Sequence, residues 1–126
     1  MNGKRKIMVI DDAEDFCEFV KTVLEATGNF QVSSCHSGRM AVRQAGKHKP
    51  DMILLDVMMP EMDGPEIASA LKTDDATQDI PIAFVTSLIS ERDVDSGQGV
   101  IDEHYFIAKP VQTDKLINVI NTVTLE

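Results

Sequence analysis

One short stretch restricts the folds open to this chain more than any other. Residues 51–64 read Asp-Met-Ile-Leu-Leu-Asp-Val-Met-Met-Pro-Glu-Met-Asp-Gly. Met52 to Leu55 is an unbroken apolar run. A half-exposed strand would alternate apolar with polar, so a continuous run fits a central strand of a parallel sheet, covered on both faces. The run stops at Asp56. Pro60 and the Asp63-Gly64 pair then turn the chain into a loop. Pro65 suits the start of a new helix, where its missing N–H would have no partner anyway. Open α/β sheets bind ligands outside the carboxyl ends of their strands. Asp56 stands at such an end, and its carboxylate is the group to explain.

The same grammar recurs along the chain. Ile7 to Ile10 is an apolar run ending in Asp11-Asp12. From Ala13 to Ala26, Phe16, Phe19, Val20, Val23 and Leu24 fall at helical spacing, with Gly28 as the C-terminal stop. Phe30 to Cys35 alternates and predicts an edge strand, followed by a helix over Ser37 to Lys47. A third helix is expected from Pro65 to about Lys72. Ile82 to Val85 is a fourth run, ending in Thr86-Ser87, and Tyr105 to Ala108 a fifth, ending in Lys109-Pro110. Thr113 is the expected cap of a last helix whose Leu116, Ile117, Val119, Ile120 and Val123 face inward. Leu88 to Asp102 is the poorest segment: Ser90 could cap a short helix, but Gly97 and Gly99 interrupt it. Five strands alternating with helices predict an α/β fold, a five-stranded parallel sheet with helices on both faces. Right-handed crossovers bring every strand's carboxyl end to one edge.

Composition narrows the class. With 126 residues the chain is one domain, 1–126, with a real core. A net charge of −9 argues against direct nucleic-acid binding, which needs a basic surface. No apolar run approaches the roughly 20 residues of a membrane helix, and the start is not a signal peptide. Cys17 and Cys35 lack metal-ligand spacing and read as small core residues of a reduced, cytoplasmic protein. His36, His48 and His104 read as surface residues, and the Met58, Met59 and Met62 cluster as packing.

The shared edge collects Asp11, Asp12, Asp56, Thr86 and Lys109, contributed by four strands. Carboxylates gathered there repel one another unless a cation compensates, and Mg²⁺ with its oxygen ligands suits such a site. A lysine and a threonine hydroxyl can meet phosphoryl oxygens. Asp56 is then placed as a nucleophile, since aspartyl phosphates are an established covalent strategy. Singly, Asp12 reads as a helix cap, Asp56 as a turn residue, Thr86 as a strand-end hydroxyl and Lys109 as a solvated side chain. Their joint occurrence at successive strand ends outweighs those separate readings.

With these residues in view, the chain resembles a response-regulator receiver domain over about residues 5–124. The resemblance rests on Val-Ile-Asp-Asp at 9–12, Leu-Leu-Asp-Val-Met-Met-Pro-Glu-Met-Asp-Gly at 54–64, Val-Thr-Ser at 85–87 and Ala-Lys-Pro at 108–110. It implies a flavodoxin-like three-layer sandwich with strand order 2-1-3-4-5. It further implies that Asp56 accepts a phosphoryl group from a sensor histidine kinase or phosphotransfer protein, with Mg²⁺ held by Asp12, Asp56 and the Met58 carbonyl, and Asp11 acting mainly through water. Thr86 would be the switch hydroxyl, Lys109 the phosphate-binding lysine and Phe106 the switch aromatic. The output would be a downstream protein target or a fused output domain, and homodimerisation is left open.

Two other classes were weighed. A phosphatase with an aspartyl nucleophile wants an acid two residues after it, where this chain has Met58. A phosphate-independent scaffold on the same fold would not need the acid pair, Thr86 and Lys109, but the irregular fourth-helix segment keeps that reading open. The expected activity is therefore self-catalysed phosphotransfer and autodephosphorylation, without turnover of an external substrate. The chain departs from the usual pattern at Asp102-Glu103, before the switch aromatic, and at Val111, after Lys-Pro. Met58 and Leu88 are apolar residues flanking the expected path of a hydrolytic water.

Overall fold

Period-two alternation in the strands decides how the core divides. The computed structural model describes residues 3–59, 62–87, 100–101 and 104–125. Its elements are β1 (Arg5–Ile10), α1 (Glu14–Glu25), β2 (Phe30–Cys35), α2 (Gly38–His48) and β3 (Met52–Asp56). They continue with α3 (Gly64–Thr73), β4 (Ile82–Thr86), β5 (Val100–Ile101), β6 (His104–Ala108) and a helix here called α4 (Thr113–Thr124). All five residues of β3 are buried, as its unbroken apolar run requires.

The sheet order is β2-β1-β3-β4-β6-β5. The first five of these strands pair in parallel. They give the expected order 2-1-3-4-5, with β6 in fifth place. The sixth strand is an addition. Val100 and Ile101 pair antiparallel with Tyr105 and His104, closing a hairpin on the open edge of β6. Ser90, Gly97, Gly99, Leu88 and the Asp102-Glu103 pair, on which the sequence reading placed an irregular fourth-helix region, lie outside the described residues.

Along each central strand, alternate residues enter opposite cores. Ile7, Val9, Met52, Leu54, Ala83, Val85 and Ile107 meet α1 and α4 through Cys17, Val20, Leu24, Leu116 and Ile120. Met8, Ile10, Ile53, Leu55 and Phe84 meet α2 and α3 through Ala41, Ala45, Ile67 and Leu71. Two apolar layers, each buried by helices, hold the strand ends in register. At the opposite end, the Arg5 guanidinium lies 4.4 Å from the centre of the Phe30 ring and donates to Asn121 Oδ1 and Thr124 Oγ1, tying the last turn of α4 to the sheet.

Helix ends depart from the sequence reading in three places. The N-cap of α1 is Ala13, so Asp12 is not a cap, and the N-cap of α4 is Gln112 rather than Thr113. Neither cap residue makes a side-chain cap hydrogen bond. Tertiary packing of the apolar stripe is enough to hold these helices without one. The C-cap of α1 is Ala26, and Gly28 lies just beyond it with a φ of 82°, a conformation glycine adopts without strain. The start of α3 is Gly64 rather than Pro65. Asp63 is the N-cap of α3 in a reciprocal capping box with Glu66, and Gly64 is already helical.

Candidate functional site

The strand ends bring four of the predicted groups to one edge. Asp11 and Asp56 leave adjacent parallel strands β1 and β3, Thr86 ends β4, and Lys109 follows β6 directly. Asp11 and Asp56 are buried at 1% and 8% exposure, whereas Asp12 is exposed. One carboxylate oxygen from each of Asp11, Asp12 and Asp56 lies within 4.8 Å of the others.

Asp11 is the most fully satisfied of the three. Its Oδ1 accepts from the Ala13 N–H at 2.9 Å, and its Oδ2 accepts from Lys109 Nζ at 2.9 Å. Its backbone carbonyl lies 3.1 Å from His36 Nδ1 and 3.6 Å from Cys17 Sγ. Asp56 is less well supported: Oδ1 accepts from the Met58 N–H at 3.3 Å and sits 3.9 Å from Lys109 Nζ. Burial raises the Asp56 carboxyl above its usual range, and the Asp11 charge raises it further. Lys109 and the Met58 N–H pull it back only in part. The three neighbouring carboxylates concentrate negative charge that Lys109 offsets only in part. Three hard oxygen donors of that sign and spacing fit a divalent cation such as Mg²⁺.

Lys109 sits between two acids and a ring. Besides its contacts to Asp11 and Asp56, its Nζ lies 4.4 Å from the centre of the Phe16 ring, on the first turn of α1. The backbone N–H of Lys109 donates to the Thr86 carbonyl at 2.9 Å, so the two residues share one anchor point. Thr86 is 3% exposed, and alternation places it on the face of Phe84, opposite Val85. Phe106 pairs with Phe84 in register, and the rings stack with centroids 5.4 Å apart. Switch hydroxyl and aromatic, as the resemblance assigns them, therefore lie on the α2/α3 face of the sheet.

Three features were not legible in the sequence. Phe16 was read as core, yet it also presents its ring to Lys109. His36 is exposed, as expected of a surface residue, and its ring also meets the Asp11 carbonyl. Gly64 is needed for space. A Cβ there would lie 2.8 Å from both the Asp56 carbonyl oxygen and Val57 Cα, pressing on the backbone that carries Asp56. The glycine after Asp63 was a visible signal, but it was read as turn chemistry. Cys17 and Cys35 are free and buried, as expected, and burial with the Asp11 charge pushes the Cys17 thiol up to about 12.

A parallel α/β sheet of this order, with three acids and a lysine at its carboxyl edge, is the arrangement that the sequence resemblance leads one to expect. Comparison with known proteins identifies the class. The family model for the response regulator receiver domain matches residues 7–121, and the chain belongs to that family. It is similar to the response regulator PleD of Caulobacter vibrioides, with 35% identity over 94% of this chain, but it spans only 26% of PleD. It is also similar to the polar-differentiation response regulator DivK of Brucella anthropi, at 29% identity over 94% of both chains. Among solved structures it superposes on the receiver domain of the sensor histidine kinase PA1611 from Pseudomonas aeruginosa with a TM-score of 0.81. That match covers 98% of this chain and 100% of the other at 21% identity, which speaks to the fold. The structure of PA1611 has a magnesium ion coordinated in its active-site cleft. Receiver domains are signal transducers of two-component systems, and those compared here are bacterial. Among the described residues no helix is long and apolar enough to cross a membrane.

Proposed function

We propose that this receiver domain takes a phosphoryl group onto Asp56 from a phosphorylated histidine of a sensor kinase or phosphotransfer protein. An Asp56 oxygen attacks phosphorus, the new O–P bond forms as the P–N bond breaks, and the departing imidazole keeps the electron pair and takes up a proton. The observation that supports this reading is the buried Asp56 beside Asp11, with Lys109 facing both acids at the sheet's carboxyl edge.

The roles of the neighbours follow from charge and position. Asp11, Asp12, Asp56 and the backbone carbonyl of Met58 would hold Mg²⁺, which supplies positive charge for the phosphoryl oxygens when bound. Lys109 provides a second positive charge at a phosphoryl oxygen, and the Thr86 hydroxyl donates to a third group of the same set. Drawing Thr86 toward the phosphoryl group vacates space on the α2/α3 face, and Phe106 follows it inward. Phosphorylation thereby stabilises a minor conformation through contacts made only in that state. A downstream protein or fused output domain would read the change. We place the chain in the cytoplasm, where kinase and target meet it.

The test is intact-protein mass after incubation with acetyl phosphate, with and without Mg²⁺, on wild type and Asp56→Ala. The expected result is a Mg²⁺-dependent gain of one phosphoryl group that the variant lacks. A folded wild type that gains nothing would overturn the reading in favour of a phosphate-independent binding scaffold.

A further inference from the structure

We infer that Phe16 is a positioning residue for Lys109, its ring fixing the ammonium between Asp11 and Asp56 where a phosphoryl group on Asp56 would meet it. The inference rests on the phosphoacceptor reading above.

Lysine is a poor pre-organised donor. Its charge is a compact point on a flexible stem, and that stem must be restrained by something other than the charge it serves. Here the restraints are unequal. The ammonium is 2.9 Å from Asp11 but 3.9 Å from Asp56, and the lysine side chain is 24% exposed. Left to those acids and water, it has two alternatives to the working position. It can move away from Asp56 while keeping Asp11, or swing out to solvent. The Phe16 ring, 4.4 Å away, closes a third side. A cation over the face of an aromatic ring is attracted by the ring's quadrupole, and the attraction is stronger where water is partly excluded.

The placement of the ring is itself well determined. Phe16 lies one turn into α1, where Cys17 and Val20 are buried, and it is half-buried against the core that α1 and α4 share. The ring cannot follow the lysine outward without breaking that packing. Lys109 is anchored from below through its own N–H on Thr86. Ring and carboxylates together bound the ammonium on three sides. The ring has no hydrogen-bonding group, so it takes no acceptor position that a phosphoryl oxygen needs. It acts only through Lys109.

Aliphatic and aromatic replacements separate this role from packing. Phe16→Leu and Phe16→Met keep an apolar side chain against the core but remove the quadrupole; Phe16→Tyr keeps both. The experiment compares the rate of phosphorylation by acetyl phosphate at saturating Mg²⁺ for the four proteins, after circular dichroism shows each folded. In parallel, proton NMR follows the Lys109 ε-methylene resonances, which a ring face shifts upfield. The expected result is a rate lowered roughly three- to tenfold in the Leu and Met variants and near wild type in the Tyr variant. The upfield shift should be present in wild type and Phe16→Tyr only. Equal rates in wild type, Leu and Met variants would overturn the inference and leave Asp56 as the acceptor. So would an ordinary ε-methylene shift in wild type. A wild type that gains no phosphoryl group would overturn the reading of the site, and the positioning role with it.

Discussion

The two faces of this sheet are built alike and used differently. On one, α1 and α4 close over Ile7, Val9, Leu54 and Val85, and both helices press fully buried side chains, among them Val20, Leu24, Leu116 and Ile120, into the core. The same face supplies Phe16 to Lys109, and alternation turns Asp11 and Asp56 toward it. On the other, α2 and α3 cover Met8, Ile10, Ile53 and Leu55 completely. Phe106, Val57 and Ile82 are half-buried there, as Phe16, Tyr105 and Ile117 are on the first face, and Phe106 rests on Phe84 beside the end that carries Thr86. In the function proposed above, the chemistry would lean on the α1/α4 face, where a charge must be held still, and the readout on the α2/α3 face, where an aromatic ring would move. A close-packed layer is bistable only where it has room, so a domain that must both fix and switch benefits from separating the two.

The largest effect expected from this contrast is on stability. Leu116→Ala removes a fully buried side chain from the closed face and should cost about 2–5 kcal/mol. Phe106→Leu, on the α2/α3 face, gives up chiefly the stack with Phe84 and should cost only about 0.5–1.5 kcal/mol. Urea unfolding of both variants checks this. Equal costs would mean that the two faces are packed alike.

Next in size is the pH dependence that the closed face builds into Asp56. Its carboxyl is raised in the folded chain, by burial first and by Asp11 second. Below the ordinary carboxylate range, folded and unfolded chains both hold the proton. Between that range and the raised value only the folded chain does, so Asp56 contributes stability at low pH that is lost as pH rises through the raised value. Melting temperatures measured without Mg²⁺ should fall across that window in wild type. Asp56→Asn should flatten the profile and melt a few degrees higher at neutral pH. Addition of Mg²⁺ at neutral pH should recover stability in wild type and much less in the variant. A flat wild-type profile would show that Lys109 already compensates the acids in full.

The smallest effect belongs to the mouth of the site. Met58 follows Asp56 by two residues and is 63% exposed, an apolar side chain where an attacking water would pass. Met58→Asn should speed loss of the phosphoryl group a few-fold with little change in stability, since surface substitutions usually cost under about 0.5 kcal/mol. Decay of the phosphorylated mass in Mg²⁺ buffer reads it out. Equal or slower decay in the variant would remove Met58 from any part in phosphoryl lifetime.

Much of this molecule could be read along the chain because its strands are short, apolar and terminated by the residues that matter. The runs ending at Asp11-Asp12, Asp56, Thr86 and Lys109 needed only local periodicity and the handedness of crossovers to bring them together. The β5–β6 hairpin was missed because Val100 and Ile101 make a strand only by pairing with Tyr105 and His104, a contact that no period of two residues reveals. Thr113 was assigned a capping role on residue type alone, whereas α4 is held by the burial of Leu116 and Ile120.

By itself, then, the sequence determined the order of the five parallel strands, the edge at which they meet and the identity of the charged groups there, since those depend on hydrophobic patterning and chain geometry. Only the tertiary structure decided how those charges sit. Asp56 is raised because burial and Asp11 outweigh Lys109, and Lys109 is held because Phe16, far away in the chain, lies over it. Gly64 is required because a helix starts against the backbone of Asp56 and Val57. Each of these depends on burial and on contacts that exist only in the folded chain, and electrostatic and steric energies follow from both.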